Sequence, residues 1–282
     1  MRPTRNFPLL VGLLFGFCLL SGGASDGGTQ AKRGGGLYIN WDWPPVIAFD
    51  IYNVDIDLSI LNNPQTSNVL FFSTQLFCGT PMARTTFYFG LQTNVQGRGK
   101  GCLFSRWGTK DLANTRVAGT SDSWSVSSPT EGGFVGIRRL LNWTTHRYCL
   151  RIRSLAGQDD KIGRWFGFWV YDYNTGVETY VGALRFPKDP SGRYPCIMTE
   201  GFGSFVEHAN PVNSPLNVPL WDLAVGRPTA NAGGYKATKG NWWYAAPADA
   251  WQNSDIWADG KTIRLRMGLN TQRIHPPWGI VY

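Results

Sequence analysis

The stretch "VDIDLSIL", residues 54 to 61, sets Val54, Ile56, Leu58 and Ile60 against Asp55, Asp57 and Ser59 in strict alternation. A period of two is the mark of a strand with one buried and one wet face. Near the other end of the chain "KTIRLRM" repeats it, with Ile263, Leu265 and Met267 against Thr262, Arg264 and Arg266. Both read as outer-sheet strands of a sandwich. No segment shows a helical period longer than two turns, and nothing recurs at fixed spacing. The chain is therefore expected to be all-β and antiparallel.

Between those strands lie "SNVLFFSTQLF", "TTFYFGLQ", "GCLFSRW", "HRYCLRIRS", "RWFGFWVYDY", "ETYVGALRF" and "CIMTEGFGSFVEH", short runs rich in aromatic and β-branched residues. Turn chemistry such as "NNPQTSN", "NVQGRGKG" and "PKDPSG" separates them. A hairpin is expected to close at Asn174 to Gly176, where Asn and Gly tolerate positive φ. Its first strand puts Phe166, Phe168 and Val170 on one side and Trp165, Trp169 and Tyr171 on the other.

Residues 1–24 carry Arg2 and Arg5, an apolar run from Leu9 to Leu20, and small residues near Ala24. That is the layout of a secretory signal peptide, with a run short for a membrane span, and it predicts an exported, extracellular protein. Residues 25–36 read as a flexible Gly-rich lead-in, and 37–282 as one domain. The formal charge of +8 falls by two with the leader. The remaining basic charge is spread thinly, which argues against nucleic acid and leaves acidic polysaccharide as a partner. Cys78, Cys102, Cys149 and Cys196 remain, an even number that in an exported chain predicts two disulfides, with pairing in sequence order preferred.

At "FYFGLQTN", "GKGCLFSRWGT", "EGGFVGIRR", "YCLRIR" and "RWFGFWVYD" the chain resembles the exported, mostly bacterial family catalogued as domain of unknown function 3472. The likeness runs from about residue 45 to 225, leaving 226–282 as a C-terminal extension. It implies a β-sandwich of lectin or jelly-roll type, in a setting often tied to carbohydrate-active proteins, and no established activity. The cysteines depart from the family's usual pattern. Asn142-Trp143-Thr144 is a glycosylation acceptor in a eukaryotic host.

Sugar sites combine flat aromatic faces with planar polar groups. Tyr88, Gln92, Arg106, Trp107 and Glu131 are expected to form such a ligand-binding face, with Tyr88 and Trp107 stacking and the others meeting hydroxyls. Gly90, between Tyr88 and Gln92, either clears space for a ligand or packs beneath a neighbouring strand. The alternative is a polysaccharide-active enzyme, a hydrolase using Glu131 with Glu200 or Glu207, or a lyase using Tyr148, His146 and Arg147. A third reading is an extracellular protein-interaction module.

Arg147, Arg151, Arg153, Arg264 and Arg266 are expected to make a basic outer face open to acidic sugars. Calcium on Asp159, Asp160 or Asp172 is the one cofactor the loops suggest; no other cofactor or metal is expected. The motifs of Ser hydrolases, P-loop proteins and zinc peptidases are absent from the sequence.

Overall fold

The computed structural model describes residues 31–45, 51–129, 132–244 and 250–281. The expected leader lies outside them, and so does Glu131. In chain order the strands are β1 (Arg33–Gly34), β2 (Leu37–Asp42), β3 (Asn53–Ile60), β4 (Leu70–Thr80), β5 (Ala83–Gln92), β6 (Gly101–Trp107), β7 (Thr115–Val117), β8 (Ser123–Ser128), β9 (Phe134–Leu140), β10 (Arg147–Ser154) and β11 (Gly163–Asp172). They continue as β12 (Glu178–Pro187), β13 (Cys196–His208), β14 (Trp221–Gly226), β15 (Thr229–Ala230), β16 (Tyr235–Lys236), β17 (Lys239–Tyr244), β18 (Ala250–Trp251), β19 (Ser254–Asp259), β20 (Thr262–Met267) and β21 (Trp278–Val281).

One antiparallel sheet has nine strands, in the order β21, β17, β2, β13, β4, β5, β6, β9, β8. The other has ten, running β19, β20, β14, β3, β10, β11, β12, β7, with β15 and β16 attached beside β3. The C-terminal stretch after residue 226 is no appendage, because its strands form one edge of each sheet. Arg33 and Gly34, inside the expected flexible lead-in, pair in parallel with Ala250 and Trp251.

The alternation seen in the sequence decides which faces meet. Val54, Ile56, Leu58 and Ile60 of β3 are buried, as are Ile263, Leu265 and Met267 of β20. Phe87, Phe89 and Phe104 of the nine-stranded sheet meet Phe168 and Phe186 of the ten-stranded one, with ring centroids 5.2 to 5.8 Å apart. Each buried ring contributes about 1.5–3 kcal/mol through area removed from water. The hairpin turns as its sequence predicts, with Gly176 at φ 71° and its N–H donating to the Asp172 carbonyl at 2.8 Å.

The cysteines correct the sequence reading, since Cys78, Cys102, Cys149 and Cys196 are buried thiols and none is in a disulfide. Cys78 on β4 and Cys102 on β6 have β5 between them. Two strand spacings of about 4.8 Å exceed the span a disulfide bridges. Cys149 and Cys196 lie in different sheets. Cys78 stands opposite Ile197, and Cys196 opposite Gly79, so these neighbours point to opposite faces. Burial pushes the Cys149 thiol up to about 11, which slows its reaction. Alkylation of the unreduced, denatured protein followed by peptide mapping should find all four as thiols; a linked cysteine peptide would contradict the structure.

Candidate ligand-binding face

In β5, Phe87, Phe89 and Leu91 are buried in the core, so Tyr88, Gly90 and Gln92 belong to the sheet's outer face. Register carries that face across the sheet. Tyr88 stands opposite Gln75 on β4 and Ser105 on β6. Ser105 stands opposite Gly136, and Trp107 opposite Phe134. On the other side, Phe205 of β13 stands opposite Ser73 and Tyr38, and Tyr38 stands opposite Trp243.

A row of rings results. Trp243 and Tyr38 stack with centroids 4.3 Å apart at 12°. Tyr38 lies 5.8 Å from Phe205, Phe205 5.4 Å from Tyr88, and Tyr88 4.4 Å from Trp107. Trp107 in turn lies 5.9 Å from Phe134. The row crosses from β17 to β9, six strand intervals, or about 29 Å. Beside these rings the face falls to the small side chains of Ser73, Gly90, Ser105 and Gly136.

Polar groups stand along the row. Tyr38 donates its hydroxyl to Glu207 Oε1. Burial, then the neighbouring Glu207 charge, holds the tyrosine's pKa well above the ordinary value and keeps the donor protonated. Ser73 Oγ is buried with no hydrogen-bond partner among the described residues. Arg138 folds back over Gly136 and donates from Nη1 to Ser105 Oγ at 2.9 Å and to the Ile137 carbonyl at 3.0 Å. A Cβ on Gly136 would lie 2.9 Å from that nitrogen, so the glycine makes room for the guanidinium. Among the described residues Arg138 has no ion pair, and burial lowers its pKa to about 10.

Of the five residues expected on this face, Tyr88 and Trp107 are neighbours on it. Gln92 shares it but sits four residues from Tyr88, about 14 Å along the strand. Arg106 is a correction. Adjacent strand residues point to opposite faces, and Arg106 goes inward, 5% exposed, opposite Phe87 and Val135 and over the Phe186 ring. Glu131 falls outside the described residues. Sequence reasoning missed Tyr38, Gln75, Phe205, Trp243 and Arg138. The parity of "LYINWD", with Leu37, Ile39 and Trp41 buried, was the signal for Tyr38.

Glu200 and Glu207 do not form an acid and base pair. Four residues of β13 between Met198 and Gly203 oppose the single residue between Phe77 and Gln75 on β4, an excess of three. This bulge turns Glu200 toward Arg84, 2.8 Å away. Glu207 stands opposite Phe71, four to six positions farther along β4, a backbone separation of about 14–20 Å. Glycosidic cleavage uses carboxyls within about 10 Å. In the lyase trio His146 and Tyr148 stack with ring centroids 6.0 Å apart, but each member is already engaged. Tyr148 is buried, accepting a hydrogen bond from the Thr144 N–H, His146 pairs with Asp172, and Arg147 with Asp57.

The arginine face of the other sheet is neutralised. Arg151 pairs with Glu178 and Arg153 with Asp55 at 2.6 and 2.5 Å, while Arg264 and Arg266 share Asp222 at 2.5 and 3.2 Å. The polar side of "VDIDLSIL" supplies Asp55 and, to Arg147, Asp57; the other acids come from β12 and β14. The hairpin's outer rings are capped as well, Trp165 by Arg116 at 3.7 Å and Tyr171 by Arg151 at 4.4 Å. Asp159, Asp160 and Asp172 bind Arg164, Arg185 and His146. Among the described residues no cluster of three His, Cys, Asp or Glu can hold a metal.

No protein-family model matches this chain, and no curated protein matches it. Among solved structures, the crystal structure of scytalido-glutamic peptidase with a transition state analog inhibitor is similar over 83% of this chain and 97% of that one. The TM-score is 0.37 and the identity 8%, a level that says nothing of substrate or chemistry. No helix among the described residues is long and apolar enough to cross a membrane.

Proposed function

We propose that the protein binds carbohydrate on the outer face of its nine-stranded sheet, as a secreted sandwich of the lectin or jelly-roll class. The observation that carries the reading is the row of rings from Trp243 through Tyr38, Phe205 and Tyr88 to Trp107. Trp243, Tyr38, Tyr88 and Trp107 are half-buried and offer flat apolar surface to sugar rings, while Phe205 is buried and backs the row. Gln75 and Arg138, with the partly covered Glu207, offer the acceptors and donors that hydroxyls need. The length of the row favours an extended chain over a single sugar. The ionisable groups that meet on this face, Tyr38 and Glu207, are bonded to each other with the tyrosine held protonated, so binding is preferred to turnover.

The test is a screen of immobilised neutral and acidic glycans with product analysis on any that bind. Binding without turnover is the expected outcome. Tyr88→Ala with Trp107→Ala should then weaken it at least about tenfold, since stacked rings contribute about 0.5–1.5 kcal/mol each and tenfold is about 1.4 kcal/mol. Silence across the screen, or unchanged binding in the double variant, would remove the reading.

A further inference from the structure

The neutralised arginine face leaves open where an anion would be held, and a second feature answers it. At one end of the sheets, past the start of β6 and the end of β9, lies a cleft of about 430 Å³. Its lining includes Gln65, Thr66, Thr93, Arg98, Lys100 and Asn142, and no acid. The turn that delivers the two cations is tight, with Gly97 and Gly99 at φ 79° and 101° and the Val95 N–H bonded to the Gly99 carbonyl at 2.7 Å.

Lys100 is positioned entirely by neutral groups. Its ammonium donates to Asn63 Oδ1 and, at 3.4 Å, to the Trp143 carbonyl, and it rests 4.4 Å from the Trp143 ring centre. Trp143 is itself fixed, fully buried and stacked on Trp221 at 5.5 Å. Arg98 lies over Trp124 at 4.5 Å, which in turn donates to Gln96 Oε1 at 2.7 Å. Neither cation has an ion pair among the described residues. Burial lowers the Lys100 pKa, the sign of a charge short of compensation.

We infer that this cleft binds an oxyanion, a sulfate or carboxylate group, between Arg98 and Lys100, with the Thr66 hydroxyl and the Gln65 and Asn142 amides as neutral partners. Aromatic backing keeps both cations in place without neutralising them, and a fixed cation loses less on binding than a mobile one. The inference does not depend on the glycan reading, because none of the ring row lines the cleft.

The experiment uses the full chain with inorganic sulfate, a sulfated oligosaccharide and oligogalacturonate, each against sodium chloride of equal ionic strength. Thermal unfolding and calorimetric titration are compared for wild type, Arg98→Gln and Arg98→Gln/Lys100→Gln. The expected result is a sulfate-dependent rise in midpoint in wild type, with affinity falling about tenfold or more per cation removed, as for a lost charge-assisted hydrogen bond. Tighter binding of an oligosaccharide would identify the anion as a group on a larger ligand, while equal response to free sulfate would identify a small ion; both support the site. Arg98 is exposed, so its variant reports even if Lys100→Gln perturbs folding. Identical responses in wild type and Arg98→Gln would overturn the inference.

Discussion

Replacing Arg106 by methionine is expected to raise the free energy of unfolding by about 1–4 kcal/mol in urea titration, the range seen when buried charges give way to apolar side chains of similar volume. The guanidinium is 5% exposed, and its Nε and Nη1 have no hydrogen-bond partner among the described residues. Burial brings its pKa down to about 10, with Arg185 adding repulsion. The Phe186 ring 5.4 Å away returns about 0.5–2 kcal/mol, less than desolvating an unpaired charge costs. Methionine keeps the unbranched stem, and its flexible thioether fills most of the space although the side chain is shorter than arginine. Glycan binding should not change, because the side chain faces away from the ligand face. A loss of several kcal/mol, or a loss of binding, would show that Arg106 has a partner or a role that its position does not explain.

Gly90→Ala should act in the opposite direction and unfold or aggregate much of the protein. A Cβ there would lie 1.9 Å from the Phe72 carbonyl oxygen and 2.8 Å from the Ser73 Cα. Those are backbone atoms of β4, the central neighbour of β5, and they cannot rotate aside. Overpacking typically costs about 1–3 kcal/mol where side chains can give way; here the ladder itself must move, so at least about 3 kcal/mol is expected by thermal or chemical unfolding. A variant of native stability with weakened ligand binding would instead mean that the glycine clears space for a ligand. The geometry assigns Gly90 to packing, with the ligand face on either side of it.

These two positions show what the sequence could and could not disclose. Period-two alternation was enough to find β3 and β20 and to say which of their side chains enter the core, because burial forces that pattern wherever one sheet face is dry. The strand β11, apolar on both sides, was legible as a strand but not in which side faces inward. Tyr88 and Trp107 followed from strand parity and aromatic chemistry. Arg106 did not, since its neighbour Trp107 drew it into the same site by proximity in sequence, when adjacency on a strand means opposite faces. The arginines of β10 and β20 looked open because the acids that answer them, Asp55 and Asp222, come from other strands and are matched only by register. Tyr38, Phe205 and Trp243 were hidden for the same reason. Their association depends on which strands are neighbours, and β2, β13 and β17 are far apart in the chain. Cysteine count could not reveal that β5 separates Cys78 from Cys102.

The most direct test of the central claim is hydrogen exchange of the protein with and without the glycan that binds best. Added protection should be confined to the outer face of the nine-stranded sheet, in β2, β5, β6 and β13 and the turns at their ends. Protection centred on β10, β11 and β20 of the opposite sheet would contradict the account and move the binding surface to the arginine lattice.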